Sequence, residues 1–551
     1  MIMQGQPFVH KGKTLLSGID PVRRAEKAAD AVSIKDRTLF LCPSPIFGYG
    51  LIRLLERIKT ESSSCAVLCV EVEPELYDLA VNNIDSSITS DKMFRLTDIC
   101  DKTQLAVFVK ETWGARAFSR VEMIKFTGGY QIFSQVYDSL CDTLRREIAI
   151  DWSNALTLTK LGRLYIRNAV RNLKLVSQFP SISQLSFGEA PVLVLGAGPS
   201  LDETLDALNS VKDRYFKIVC VDTCLGALKD RGIVPDLVII LESQHWNLKD
   251  FIGCKGWKVP VAIDISSLPA SAYLLAENGY LFFTPWTTLN IFERLNKAGL
   301  LPASVPPLGS VGLTAVELAR RLTSGKIICA GLDFSFTADK FHARSTPGHK
   351  THLNLQTRFR RIFNKTAYDS ASLAAVSKSG FSVHSNPALK NYRALFEQEF
   401  SGDSRVFDIE GTGLPLGVKT LAMEEAMDIL KMNTEDFTRG HGVCGERREE
   451  FKLPSFPTPA SSASLRLREN SSGIISFIED EKKLLEELRG ILSGEVQASK
   501  ERLSELIAEC DYLWAHFPDY AGGSQTISAN ANDVSFLKRL RTEIDPMLKL
   551  F

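Results

Sequence analysis

Short apolar runs recur between residues 191 and 334, and each stops at a glycine, a hydroxyl or a carboxylate. They read VLVL (192–195), KIVCV (217–221), DLVIIL (236–241), VPVAI (259–263), YLFF (280–283) and KIICAGL (326–332). Segments between them, such as 201–213 and 311–323, carry apolar residues at helical spacing. Near-continuous apolar strands alternating with helices imply a parallel sheet covered on both faces. The fold class expected is therefore α/β, with a central doubly wound, mostly parallel sheet over residues 187–438.

The flanks differ. TLFLC (38–42), a Pro/Gly turn PSPIFGYG, and a helix with Leu51, Leu54, Leu55 and Ile58 on one face predict a smaller α/β domain over 1–125. CAVLCVEVEP supplies its second strand, ending in Glu71 and Glu73, and LAVFV (105–109) reads as a third. The turn after its first strand has prolines where a phosphate loop needs free N–H groups, so the domain is read as structural or acceptor-binding. Residues 126–186 predict a helical connector, with Ile132, Phe133, Val136, Leu140, Leu144 and Ile148 in register. A Pro/Ser-rich linker is expected over 439–473, and a helical domain over 474–551 that docks on the core or pairs with another subunit as a homo-oligomer.

Composition narrows the partners. Lys+Arg and Asp+Glu are both 65, so no global basic field recruits nucleic acid. No apolar run approaches the ~18 residues that span a bilayer, and the N-terminus lacks a signal-peptide core, so no membrane partner is expected. The eleven cysteines form no Cys-x-x-Cys, and several sit inside apolar runs as small hydrophobes. A reducing, cytoplasmic setting follows.

The candidate chemistry lies at the strand ends. Gly196-Ala197-Gly198-Pro199-Ser200 lacks the third glycine of a dinucleotide fingerprint, because Leu201 stands there. Its amides open either an anion site or a solvent-exposed helix cap, since Asp202 and Glu203 also complement that helix end. Further strands end in Asp222-Thr223, Glu242-Ser243-Gln244, Asp264, Thr284 and Asp333, the edge on which doubly wound sheets bind ligands. Gly309-Ser310 precedes another helix, with Ser310 as its expected N-cap. His342, His349 and His352 follow Asp333; Pro347 and Gly348 favour a loop there, and a base, a phosphate contact or a merely solvated role is favoured over a metal.

GAGPSLDETLDAL, VDTCLGALKDRGIVPDLVIILES, PLGSVGLTAVELARRL and KIICAGLDFSFTADKFHA, in that order, resemble the central domain of the bacterial motility accessory factors. Those proteins are regarded as cytoplasmic glycosyltransferases that attach nonulosonic acids of the pseudaminic or legionaminic type to flagellin Ser/Thr. The same domain is shared with proteins similar to archaeal 6-hydroxymethylpterin diphosphokinase, and its glycine turn resembles that of CMP-sialic acid sialyltransferases. The sequence departs from those patterns at Ala197, where Asn is usual in the sialyltransferase-like loop, and at Glu242, where the accessory factors often have Asp.

The resemblance implies a CMP-activated nonulosonic acid as donor and flagellin as acceptor in flagellum assembly, with no cofactor. It places the phosphate on Gly196, Ala197, Gly198, Pro199 and Ser200, the ribose near Asp222 or Thr223, and the sugar near Gly309, Ser310 and Gln244. Asp333 or Glu242 would supply negative charge at the anomeric carbon, and His342, then His349, the general base. The alternatives are an ATP-dependent diphosphokinase, with Mg²⁺ on Asp222, Glu242 and Asp333, and a non-catalytic flagellin-binding protein. No lysine lies in residues 196–203 to meet a β- or γ-phosphate.

Overall fold

The computed structural model describes residues 7–551 apart from 63, 115–116, 210, 212–213, 288, 360, 362–370, 432–462 and 518–530, and gives only the backbone course for 150–156, 276–277 and 463–470. The chain forms two compact units. One comprises Met1–Gly162 with Ser499–Ile507 and Trp514–Leu540; the other comprises Arg163–Ala498 with Ala508–Leu513 and Arg541–Phe551.

The first unit opens with an antiparallel hairpin, β1 (Phe8–His10) and β2 (Lys13–Leu16). Its sheet is parallel: β3 (Thr38–Pro43), β4 (Ala66–Val70), β5 (Phe94–Thr97) and β6 (Arg120–Met123), in the order β5-β4-β3-β6. The third strand is thus FRLT, and LAVFV is helical, a correction to the sequence reading. Asp101 caps helix Lys102–Trp113 through the Gln104 amide at 2.8 Å. Leu105, Ala106 and Val109 then share a buried face while Val107 is exposed, which is helical spacing. Tyr137, Leu140, Cys141, Leu144 and Ile148, on the long helix Ser134–Asn172, close that side of the sheet.

In the second unit the strands are β7 (Val192–Leu195), β8 (Lys217–Val221), β9 (Leu237–Ile240), β10 (Val259–Asp264), β11 (Ala276–Phe282), β12 (Ile327–Ala330), the hairpin β13 (Leu373–Val376) and β14 (Ser382–Ser385), β15 (Val406–Ile409) and β16 (Lys419–Leu421). Eight of them form one sheet in the order β11-β10-β9-β8-β7-β12-β15-β16, parallel at every pairing. All carboxyl ends therefore share one edge, as the sequence predicted. The order reverses between β7 and β12, where an open α/β sheet leaves a crevice.

Of the expected linker, 439–462 lies outside the described residues, and 463–473 belongs to helix Ala463–Ser493. That helix packs within its own unit. Glu481 pairs with Arg294 (Nη2 to Oε2, 2.9 Å) and accepts from the Tyr512 hydroxyl at 3.1 Å, while Asp511 accepts from the Asn290 amide. Leu485 and Leu488, on its inner face, are fully buried.

Candidate functional site at the sheet switch

β7 and β12 end in loops that press on each other. Gly196 N–H donates to Ala330 O and Gly198 N–H to Gly331 O, both at 2.8 Å. A Cβ on Gly196 would stand 2.5 Å from Gly331 O, and one on Gly198 2.7 Å from Asp333 Oδ2. Gly331 has φ +68°, and its own Cβ would stand 2.4 Å from Gly196 O. The glycines let two backbones touch.

Asp333 completes the contact. Its carboxylate accepts from Ser200 N–H (2.7 Å) and Ser200 Oγ, and it is 2% exposed. An internal carboxylate thus sits at the N-terminus of helix Leu201–Leu208, where the sequence reading placed a ligand's phosphate. Two expectations change accordingly: the Gly196, Gly198 and Ser200 amides are already engaged, and Asp333 faces inward as a positioning residue. Burial raises its pKa, and nearby Lys378 and Ser200 pull it back.

Asp222 also turns inward. It accepts from Thr223 N–H at 2.8 Å and from Asn247 Nδ2 at 2.7 Å, so neither oxygen waits for a ribose as anticipated. Beside it, Asp250 Oδ1 has no partner, and burial together with the Asp222 charge pushes the Asp250 carboxyl up to about 7. Asp264 is buried and caps the Ser266 and Thr284 amides. Glu242 differs in being exposed, its Oε1 accepting from Gln244 N–H at 2.8 Å.

The segment after Asp333 folds back over the glycine loop. Ala343 N–H donates to Ala197 O at 3.0 Å, Lys340 reaches Asp202 at 2.9 Å and Pro199 O at 3.4 Å, and Arg344 N–H donates to Asp202 Oδ1. Thr346 then caps helix Pro347–Asn354, so His349 and His352 lie on a helix rather than in the expected loop. The Thr-Pro pair, a cap followed by proline at the first helical position, was the signal for it.

His342 is the most perturbed imidazole of the group. Burial, then the neighbouring His352, Lys249 and His349, hold it down at about 4. Burial also lowers His349. The Nδ1 atoms of both are buried without a hydrogen-bond partner. Two neutral imidazoles therefore stand in the field of Lys249, Lys340 and Arg344, on the segments that fold over the glycine loop. Such a set can take a proton from a hydroxyl and hold a phosphate by charge.

Gly309-Ser310 joins from the β12 side. Gly309 has φ +69° and lies against Tyr392, while Gly312 packs on Leu332, the side chain that also covers Gly196. Ser310 occupies the N-cap position of helix Val311–Leu322, but its side chain makes no capping bond, contrary to expectation.

One feature escaped the sequence reading. Lys378 and Asp408 form an ion pair at 2.6 Å with 3% and 1% of their side chains exposed. Burial and the Asp333 charge raise the Asp408 carboxyl to about 6 against the pull of Lys378. The clue was a lone acid inside the apolar strand VFDI, which requires a buried cation. Among the described residues no three His, Cys, Asp or Glu side chains converge to hold a metal. Ten described cysteines are free, and no described helix is long and apolar enough to cross a membrane.

Residues 164–339 match the family model described as 6-hydroxymethylpterin diphosphokinase MptE-like. A relative in Treponema pallidum (strain Nichols), known only as an uncharacterized protein, is 29% identical over 535 residues, covering 95% of this chain and 90% of its own. A second uncharacterized protein of that organism matches 85 residues at 32% identity, 15% of this chain and 40% of its own. Among solved structures, the MAf glycosyltransferase from Magnetospirillum magneticum AMB-1 superposes with a TM-score of 0.51 at 14% identity, over 99% of this chain and 83% of that one. Residues 164–339 are thus similar to the MptE-like domain, and the chain shares the fold of that MAf glycosyltransferase.

Proposed function

We propose that the protein is a cytoplasmic glycosyltransferase that moves a nonulosonic acid from a CMP-activated donor to Ser/Thr of flagellin. The observation that carries this reading is the gathering of neutral His342 and His349 with Lys249, Lys340 and Arg344 over the switch between β7 and β12, in a chain whose fold follows a MAf glycosyltransferase along 99% of its length. Electrostatics supports the following roles. The donor's phosphate meets Lys249 and Lys340, the latter shared with Asp202, rather than the loop amides, since those of Gly196, Gly198 and Ser200 are engaged with Ala330, Gly331 and Asp333. His342, uncharged above about pH 4, accepts the proton of the attacking hydroxyl as the glycosidic bond forms and the C–O bond to phosphate breaks, and CMP leaves with the electron pair. Glu242, the exposed carboxylate on this edge, faces the positive charge developing at the anomeric carbon.

A diphosphokinase reading, prompted by the MptE-like match, needs Mg²⁺ on strand-end carboxylates. Asp222 and Asp333 point into the protein instead, so that donor set does not form. The intact mass of flagellin from cells with and without this chain tests the proposal. A loss of mass equal to whole nonulosonate residues is expected; an unchanged mass removes the glycosyltransferase reading. Thermal shift with CMP against ATP plus Mg²⁺ separates the two donors.

A further inference from the structure

The carboxyl edge carries a second group of polar side chains, over β9, β10 and β11. Ser243 Oγ, Thr284 Oγ1 and Trp286 Nε1 are buried, Ser243 and Thr284 being only 3% and 7% exposed; the two hydroxyls face Tyr165 and Asp264, and the indole N–H makes no hydrogen bond. A buried indole N–H without a partner is costly unless something fills its place. Tyr165 draws them together. Its ring lies edge-on to Trp286 with centroids 5.1 Å apart, and its hydroxyl is beside Ser243 and in the field of Glu242 and Asp264. Asn168, one turn on, donates to Ser243 O at 2.9 Å and fixes the helix against this edge. Thr284 is held in turn by its amide on Asp264 at 2.7 Å.

These groups offer three hydroxyls, one N–H donor, two aromatic rings and no cation. Glu242 and Asp264 give the place a negative field, which repels an anion and accepts from hydroxyls. The matching ligand has an apolar C–H face and a rim of hydroxyls. We propose that Tyr165, Ser243, Thr284 and Trp286 form a subsite for an uncharged, hydroxyl-bearing sugar ring, distinct from the phosphate-binding cations Lys249 and Lys340. β9 to β11 are successive neighbours at about 4.8 Å spacing, a span of about 10 Å that suits one pyranose. The transferred nonulosonic acid carries a carboxylate and does not match this place, so the subsite takes a neutral ring other than the transferred one, and its existence does not rest on the glycosyltransferase reading.

Saturation-transfer NMR on the full chain tests it with two probes, N-acetylglucosamine as a neutral pyranose and CMP as the nucleotide. The sugar's ring protons should be saturated by the unaltered protein, at least threefold less by Thr284→Val and Trp286→Leu, and undiminished by Thr284→Ser, which keeps the hydroxyl. Cytidine protons should be unaffected by these changes. Absent sugar saturation, or saturation unchanged in both variants, overturns the subsite. So does loss of CMP binding in Trp286→Leu, because the aromatic pair would then hold the base. Intact sugar binding with no CMP binding supports the subsite while sinking the nucleotide reading.

Discussion

Each unit contains a parallel sheet whose strand order reverses beside its first strand, and each places a serine and a buried acid there. In the smaller sheet Ser44 donates to Glu71, which also accepts from the Tyr137 hydroxyl and the Glu73 amide, both at 3.1 Å. In the larger one Ser200 donates to Asp333. The difference lies in what surrounds the pair. Glu71 is saturated by neutral donors, and burial raises its pKa without a cation to oppose it. Asp333 stands near buried Lys378, under a segment bearing Lys340, His342 and Arg344. A serine–carboxylate clasp at a sheet switch is thus a structural device in both; what sets the larger switch apart is the pair of neutral imidazoles, His342 and His349, among the cations gathered above it.

The largest effect expected from breaking this contrast comes from Lys378→Met. It leaves Asp408 and Asp333 without their shared buried cation and should cost about 3–5 kcal/mol in denaturant unfolding. A loss under 1 kcal/mol would mean that the cation does not set the larger switch apart. His342→Ala should lower transfer about 100-fold, about 2.7 kcal/mol of barrier, with the melting temperature nearly unchanged. Asp333→Asn should do the reverse, losing about 1–3 kcal/mol of stability through the Ser200 contacts; full stability with abolished transfer would return Asp333 to a catalytic role. Asp250→Asn tests the crowded carboxylates. The fold holds a proton on Asp250 up to about pH 7, above its unfolded value, so that proton's stabilisation is present at low pH and lost as pH rises through 7. The variant should gain on the parent progressively as pH rises from about 4 to about 7 and melt higher at pH 8, by about 1 °C for each kcal/mol relieved in a chain of this length. Smallest of all, Glu71→Gln should shift stability by under about 1 kcal/mol and leave transfer intact.

Strand identity and the shared carboxyl edge were legible in the sequence because apolar runs such as VLVL and KIVCV allow few alternatives. LAVFV was misread since a five-residue apolar run looks alike in either state, and the deciding feature was the Asp101 cap just outside it. FRLT was missed because Arg95 and Thr97 interrupt its apolar character. At the site, residue types were visible but their partners were not. The glycines of 196–198 looked like a ligand loop because Gly331 and Asp333, which they actually meet, lie more than 130 residues away. Lys378 offered no local sign, its meaning depending wholly on Asp408 in another strand.

The unit built around the first sheet is finished by Ser499–Ile507 and Trp514–Leu540, where Trp514, Phe517 and Phe536 pack together. Both faces of its sheet are covered by residues before 150, so that core is complete early in synthesis. The aromatic cluster of Trp514, Phe517 and Phe536 joins the unit only after the whole second sheet has been made, which leaves the order of assembly as core first and cluster last.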